Sequence, residues 1–310
     1  LVAGSANADF VVHAAHIPAP GETVLGGDLA IVPGGKGANQ AVAAARAGGA
    51  STGMLVALGD DVSAAILEAS LTAAGVGLHI VRSARATGAA LITVSDAAEN
   101  AITVAPGANA DLAPGQLPDL TGIDWLMLQL ETPVETVTAF ALAARRAGVQ
   151  VMLNVAPAQA VPTELLKAVD VLVANEEELA VLVGKEGTIA DRLAKLDVSA
   201  AIVTLGARGC CALVDGQFLL QPAFRVAASD TTAAGDTFCG TLCAVLARGG
   251  SMPSALAAAS AAAALATTRP GAQSSIPARA DVERFVADAA DDPQARAALA
   301  DYCGVTELSS

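Results

Sequence analysis

The sequence predicts an α/β protein, with a doubly wound, mostly parallel sheet flanked by helices and a small inserted β-sheet lid. Three observations lead there. Short apolar runs of strand length alternate with longer helical runs over most of the 310 residues, which is the pattern of βα units. Hydrophobic residues are 54% of the chain but aromatics only 3%, so Ala, Val and Leu carry the apolar content. Two stretches, 10–33 and 89–104, break the rhythm with short β-like runs separated by turn chemistry, Pro18-Ala19-Pro20-Gly21 in one and Ser95-Asp96-Ala97-Ala98-Glu99-Asn100 in the other.

Expected strands are 1–4, Gly53–Leu58, Trp125–Leu128, 151–153, 171–173 and 201–204, and expected helices are 37–47, 62–74, 134–147, Glu176–Val183 and 190–196. Residues 10–33 and 89–104 are read as a small antiparallel sheet that could act as a lid. A run of helix formers covers 238–248. Residues 255–266 form a long apolar stretch, too short and too small-sided to span a bilayer, and read as a packed helix. After Arg269 come a loop, two amphipathic helical runs and a polar tail. A chain of this length can bury one core with an appendage or two small ones; a single domain over 1–310 is expected. The chain opens directly on strand-like Leu1-Val2-Ala3-Gly4, so a few preceding residues are expected.

Composition narrows the partners. The formal net charge is −14 and the pI about 4.5, which argues against nucleic acid or an anionic membrane surface. Backbone N–H groups bind phosphate whatever the net charge, so a phosphorylated ligand stays open. The five cysteines (210, 211, 239, 243 and 303) match no zinc spacing, and with no secretion signal they read as reduced thiols of a cytoplasmic protein. His13, His16 and His79 stand beside no nucleophile motif and read as structural.

Polar motifs gather where an open parallel sheet binds its ligands, beyond the carboxyl ends of the strands. They are Gly4-Ser5-Ala6-Asn7-Ala8-Asp9, Gln129-Leu130-Glu131, Asn154, Asn175-Glu176-Glu177-Glu178 and Thr204-Leu205-Gly206-Ala207-Arg208-Gly209. Each alone is also ordinary loop chemistry, and Asn175 would make a good helix N-cap. No Gly-x-Gly-x-x-Gly follows the first strand and no Walker A sequence occurs, which removes the main support for a dinucleotide or P-loop site.

Two further stretches carry chemistry. Gly34-Gly35-Lys36-Gly37-Ala38-Asn39-Gln40 combines glycines that admit a ligand with Lys36 and Asn39 as donors, though a glycine-rich turn with a surface lysine is the plainer reading. Asp230-Thr231-Thr232-Ala233-Ala234-Gly235-Asp236-Thr237-Phe238 leads into a helix with almost no side chain over 233–235. Its free N–H groups and the helix dipole favour an anion there. Asp236 would then sit where phosphate arrives, which suits a base for an attacking hydroxyl; otherwise it is a helix-start acid.

Together these stretches, taken in order from Leu1 to about Val286, resemble the ribokinase-like (phosphofructokinase-B-type) family of sugar kinases. Gly34–Gln40 and 230–238 look like its two signatures, and Thr268-Arg269-Pro270-Gly271-Ala272-Gln273 also fits. The resemblance implies ATP-dependent phosphorylation of D-ribose at its primary (O5) hydroxyl. Asn7, Asp9, Gly35, Lys36, Gly37, Asn39 and Glu131 would hold the sugar. Asp236 would be the general base, and Ala233, Ala234 and Gly235 the anion hole. Asn175 and Glu178 would serve Mg²⁺ and the phosphates, while Thr204, Leu205, Gly206, Ala207, Arg208, Gly209 and Ser260 would border ATP. Ser260 departs from the His that some members carry. Asp230, Thr232, Ala266, Arg269, Gly271 and Ser275 would hold a monovalent cation, K⁺. The lid would also make a homodimer, and the tail from about 287 has no family counterpart. Rival readings are a kinase of another sugar or nucleoside, a non-catalytic sugar or nucleotide sensor, and a nicotinamide dehydrogenase without its fingerprint.

Overall fold

The computed structural model describes residues 1–97 and 99–305. Its strands are β1 (Val2–Ala3), β2 (Asn7–Ala14), β3 (Ala30–Gly34), β4 (Gly53–Leu58), β5 (Gly77–Arg82), β6 (Gly88–Ser95), β7 (Asn100–Ala105), β8 (Trp125–Leu128), β9 (Gln150–Asn154), β10 (Val171–Asn175), β11 (Ala200–Thr204), β12 (Gly209–Val214) and β13 (Gln217–Pro222). Its helices are α1 (Lys36–Arg46), α2 (Val62–Ala73), α3 (Val134–Arg146), α4 (Thr163–Leu166), α5 (Glu176–Val183), α6 (Ile189–Leu193), α7 (Ala234–Ala247), α8 (Met252–Ala266), α9 (Arg279–Asp288) and α10 (Pro293–Cys303).

Nine strands form the main sheet in the order β13-β12-β11-β10-β9-β8-β1-β4-β5. It is parallel from β11 to β5 and antiparallel at the β11/β12 and β12/β13 pairs. Its strands are apolar on both faces because helices cover both. Within β4, Met54, Val56 and Leu58 face one core while Leu55 and Ala57 face the other. The first core is closed by α1, α2, α7 and α8, the second by α3, α5, α6 and α10. The chain leaves β1 for β4 on one side and later returns to β8 on the other, so the end of β1 is the topological switch point where such sheets bind ligands.

The antiparallel edge hairpin β12–β13 lies past the last strand expected from the sequence, and its signal is Asp215-Gly216. Both residues have positive φ, 47° and 80°, as the tight turn between two paired strands requires. Residues 10–33 and 89–104 do build a separate sheet, ordered β3-β2-β6-β7, but it is not wholly antiparallel. The β2/β3 and β6/β7 pairs are antiparallel hairpins, whereas β2 and β6 run parallel with Asn7 opposite Gly88 and Ala14 opposite Ser95. Two hairpins inserted at different points of one sheet meet side by side, and their seam is parallel. This sheet also starts earlier than expected, at Asn7. The turn residue Ala98 and the end of the polar tail, 306–310, lie outside the described residues.

Candidate active site

The switch point is built by the short link from β1 into β2. Strand alternation sets Asn7 and Asp9 on one face of β2, and pairing with β3 sets Asn7 opposite Gly34. A Cβ on Gly34 would lie 2.0 Å from Asp9 Oδ2, so only glycine lets the carboxylate lie across the strand. A Cβ on Gly35 (φ 88°) or Gly37 would lie 2.6 Å from the backbone nitrogen of Asn7 or Ser5 respectively. Asn7 Oδ1 accepts from Asn109 Nδ2 at 2.8 Å, and Asn109 Oδ1 accepts from the Ala6 N–H at 3.0 Å.

From the far side, Glu131 follows β8. Its Oε2 accepts the Ser5 hydroxyl at 2.6 Å and the Lys36 backbone N–H at 3.0 Å, placing a carboxylate at the N-terminus of α1, where the dipole favours it.

Asp236 is buried in the first turn of α7. It meets α1 because that helix and α7 cross closely: a Cβ on Gly240 would lie 2.3 Å from the Gln40 carbonyl oxygen. At this range Asn39 Nδ2 donates to Asp236 Oδ2 at 3.0 Å and Gln40 Nε2 donates to Asp236 Oδ1 at 2.9 Å. Gln40 Nε2 also donates to Asn154 Oδ1, at 3.1 Å, so the end of β9 steadies the same amide. Asn39, expected to face the sugar, thus spends one amide donor orienting the carboxylate. Its buried Oδ1 has no protein partner among the described residues.

The electrostatics are dominated by carboxylates in poor contact with water. Burial pushes Asp236 above its ordinary pKa, against the pull of Lys36 and the two amides. Burial, then Glu131 and Asp236, lift Asp9 to about 7, and burial raises Glu178. Burial disfavours the charged form of Lys36, but Asp236, Glu131 and Glu178 outweigh it and hold the amine above its usual value. Displaced titrations of this kind cluster at functional sites.

On the other side of the α7 N-terminus lies a cavity of about 440 Å³. Thr204, Gly206, Ala207, Gly209, Ala234, Gly235 and Ser260 border it, with Phe224, Val226 and Ala263 among its apolar wall. Leu205 and Arg208 do not border it: Leu205 is buried in the core, and the Arg208 guanidinium lies 4.3 Å over the Tyr302 ring. Ala233 caps α7 with φ 57°, a left-handed conformation that costs an alanine energy. Gly235 has no heavy atom within 4 Å of where a Cβ would stand, so the turn is open to the cavity. Asn175 and Glu178 make a reciprocal capping box at α5, with Glu178 N–H to Asn175 Oδ1 at 2.8 Å and Asn175 N–H to Glu178 Oε2 at 2.7 Å. The N-cap reading of Asn175 is therefore real, and it leaves Glu178 Oε1 outside the box.

The segments around Asp230 and Gly271 are adjacent. Asp230 accepts from the Thr232 N–H through Oδ1 and from the Gly271 N–H through Oδ2, both at 2.8 Å, and Ser229 and Asp230 N–H groups donate to Thr267 O at 2.8 and 3.1 Å. Ser275 donates its hydroxyl to Ala272 O at 2.8 Å, while Ala266 O accepts from Arg269 N at 3.2 Å. Hydrogen bonds from the Thr232 side chain and the two N–H groups overcome the effect of burial and hold Asp230 below its ordinary pKa. Among the described residues no group of three His, Cys, Asp or Glu side chains could hold a metal. A cation here would rest on carbonyls and this one carboxylate.

Ser5, Gln40, Asn109 and Asn154 were given no role from the sequence. Gln40 and Ser5 stand inside the motifs and Asn154 ends a strand at the expected edge, but nothing local marks Asn109, which reaches Asn7 across 102 residues.

Residues 1–279 match the family described as pfkB family carbohydrate kinase. A ribokinase of Haemophilus influenzae is 37% identical over 300 residues, covering 92% of this chain and 97% of its own. A deoxyribokinase of Salmonella typhi is 34% identical over 298 residues, covering 92% and 96%. The structure of an Arabidopsis thaliana ribokinase complexed with ribose and ATP superposes with a TM-score of 0.85 at 31% identity, covering 93% of this chain and 98% of that one. With this span of match behind the two signatures and the sheet that carries them, the chain belongs to the pfkB family of carbohydrate kinases.

Proposed function

We propose that this kinase phosphorylates D-ribose at O5 with ATP as donor. The observation that carries the reading is Asp236. Its carboxylate is buried, oriented by Asn39 and Gln40, and one residue beyond Gly235 on the cavity wall. A sugar in the Asn7–Asp9–Lys36–Glu131 cradle would point a primary hydroxyl at Asp236, and a nucleotide in the cavity would bring its phosphates to the same helix end. Asp236 would take the hydroxyl proton as the oxygen attacks, its raised pKa bringing it nearer the range useful for a base. The N–H groups of Ala233–Gly235 would bind the phosphoryl group as charge develops on it. The small-sided, apolar cavity suits a flat purine.

Glu178 with nucleotide oxygens and water is the sparse oxygen set that Mg²⁺ accepts; bound there, Mg²⁺ would neutralise phosphate charge. The 230–232 and 266–275 loops suit a weakly hydrated monovalent cation such as K⁺, whose part would be to stiffen the turn leading into Ala233. The small sheet would serve as a lid over the sugar and as the contact of a homodimer.

A second reading is favoured by the deoxyribokinase likeness: 2-deoxyribose as acceptor. A coupled assay with ribose, 2-deoxyribose, fructose and adenosine separates the readings, with the phosphorylated position read by phosphorus NMR. Ribose is expected to give the highest kcat/KM, since a site that hydrogen-bonds a hydroxyl rejects its absence strongly. Better turnover of 2-deoxyribose would replace the ribose assignment, and equal or better turnover of fructose or adenosine would sink it while leaving the family intact. Running the assay in KCl and in NaCl at equal ionic strength tests the cation loop.

A further inference from the structure

The loop beside the cavity is short, and its three central residues lie in solvent. Residues Gly206–Arg208 form one 3-10 turn, flanked by Gly206 at φ 58° and Gly209 at φ 114°. Gly206 stands in open space and leaves its backbone free to change conformation, whereas Gly209 is pressed against the Gln221 carbonyl, 2.1 Å from where a Cβ would stand. Gly206, Ala207 and Arg208 are all exposed. The turn is closed by Leu205 N–H to Gly209 O at 2.8 Å and Gly209 N–H to Gly206 O, while Arg208 itself is held by Arg208 N–H to Leu205 O and Ala223 N–H to Arg208 O, both at 3.2 Å. Yet Gly206, Ala207 and Gly209 border the cavity read above as the nucleotide site.

Helix α10 reaches this loop from outside. It lies beyond residues 1–279, the span matched by the family, and is anchored by buried Leu299, Ala300 and Cys303 in the second core. Its last turn presents Tyr302. The ring lies under the Arg208 guanidinium at 4.3 Å, and the hydroxyl donates to the Glu176 carboxylate at 3.1 Å to Oε1 and 3.0 Å to Oε2. Glu176 opens α5 beside the Asn175–Glu178 capping box, and its carbonyl is held by Arg192 Nη2 at 2.9 Å. One side chain therefore joins the loop on one flank of the nucleotide site to the helix start on another.

We infer that Tyr302 is a positioning residue that fixes the 206–209 loop before ATP binds, so that affinity for the nucleotide depends on the C-terminal helix. The inference rests on the cavity being the nucleotide site. The gain is one of preorganisation, because a loop already ordered loses less freedom on binding. Arg208 serves by holding Tyr302 rather than by touching the ligand, which accounts for a guanidinium turned away from the cavity.

The test uses the full chain with Tyr302→Leu, which removes both contacts, and Tyr302→Phe, which keeps the ring over Arg208 and loses the Glu176 bond. Tyr302 is 39% exposed, so both variants should fold. Tyr302→Leu is expected to raise the KM for ATP and the Kd of ADP by roughly three- to tenfold, a part of what an exposed cation–π contact plus one hydrogen bond is worth. Tyr302→Phe should fall between it and the parent. The KM for the sugar and kcat at saturating ATP should stay within about twofold, which general damage to the fold would not allow. Amide exchange over 206–209, without nucleotide, should quicken in Tyr302→Leu. An unchanged ADP Kd in a folded Tyr302→Leu, or an equal rise in KM for both substrates, overturns the inference. Should ADP in the parent protect other amides and leave 206–209 untouched, the nucleotide-site reading itself falls, a result separate from any effect of the variants.

Discussion

The two halves of the site are made of different materials. On the proposed sugar side Asp9, Asn39, Gln40 and Asp236 are buried and Lys36 and Glu131 half-buried. Asn39, Gln40 and Glu131 are tied to Asp236, Asn154, Ser5 and the Lys36 backbone N–H by bonds of 2.6–3.1 Å. On the proposed nucleotide side the wall is largely backbone, alanine and glycine, and Gly206, Ala207 and Gly235 are exposed. The difference has a physical sense. Recognition of hydroxyls needs fixed, directional partners, which are expensive to leave unpaired when buried. A phosphate is held by N–H groups and a helix dipole, which need no side chain. Substitutions on the first side should therefore have large effects, and those on the second graded ones.

The sharpest way to break that contrast is Asp236→Asn. It keeps the shape and one of the two amide bonds to α1, the other returning if the Asn39 amide turns its unpartnered Oδ1 inward. It removes the proposed base, and kcat is expected to fall by roughly 10²–10⁴-fold with the sugar Kd nearly unchanged. Turnover within about threefold of the parent would leave Asp236 as a helix-start acid.

Next in size is the electrostatic strain of the cradle. Asp9 has a raised pKa in the folded protein, about 7, so its protonated form fits the fold better than its charged form. Stability from that preference is fully present below the unfolded value near 3.8 and is lost as pH rises through about 7. Asp9→Asn should remove the loss, gaining on the order of 4 kcal/mol over the parent at pH 8 and little at pH 4. A melting-temperature series for both proteins from pH 4 to 8 measures it; parallel curves would show that Asp9 is not strained.

On the nucleotide side, Gly235→Ala should be mild for the fold, because its Cβ enters open space. Gly235 borders the cavity, so the KM for ATP is expected to rise by about two- to tenfold, with melting within the small range of surface changes and the sugar KM unmoved. A larger effect on the sugar would mean that the two halves are not separate.

The smallest expected effect concerns the β3-β2-β6-β7 sheet, whose residues Leu91 and Ile102, with Leu29 just before β3, are more than half exposed. If it closes over the sugar, amide exchange in these strands should slow by roughly two- to tenfold when ribose is added. Unchanged exchange in all four strands would count against a lid.

Much of this was legible in the residues. The βα alternation gave the parallel sheet because strands covered on both faces must be apolar throughout, as Met54–Leu58 are. The glycines of 34–37 and the bare stretch 233–235 marked backbone that something approaches closely. The Asp215-Gly216 hairpin was equally readable through its turn chemistry.

What the chain order could not give was set by packing between distant segments. The parallel seam of β2 and β6 exists only because two hairpins about 80 residues apart meet. Asn109 reaches Asn7, Gln40 and Asn39 reach Asp236, and Tyr302 reaches both Arg208 and Glu176 through contacts that no local pattern encodes. By itself the sequence determined the elements and the donors and acceptors they offer, because propensity and periodicity act over a few residues. Only the tertiary structure decided which of those groups share a partner, because side-chain hydrogen bonds act over about 3 Å and the close crossing of α1 and α7 at Gly240 sets which atoms come within that reach.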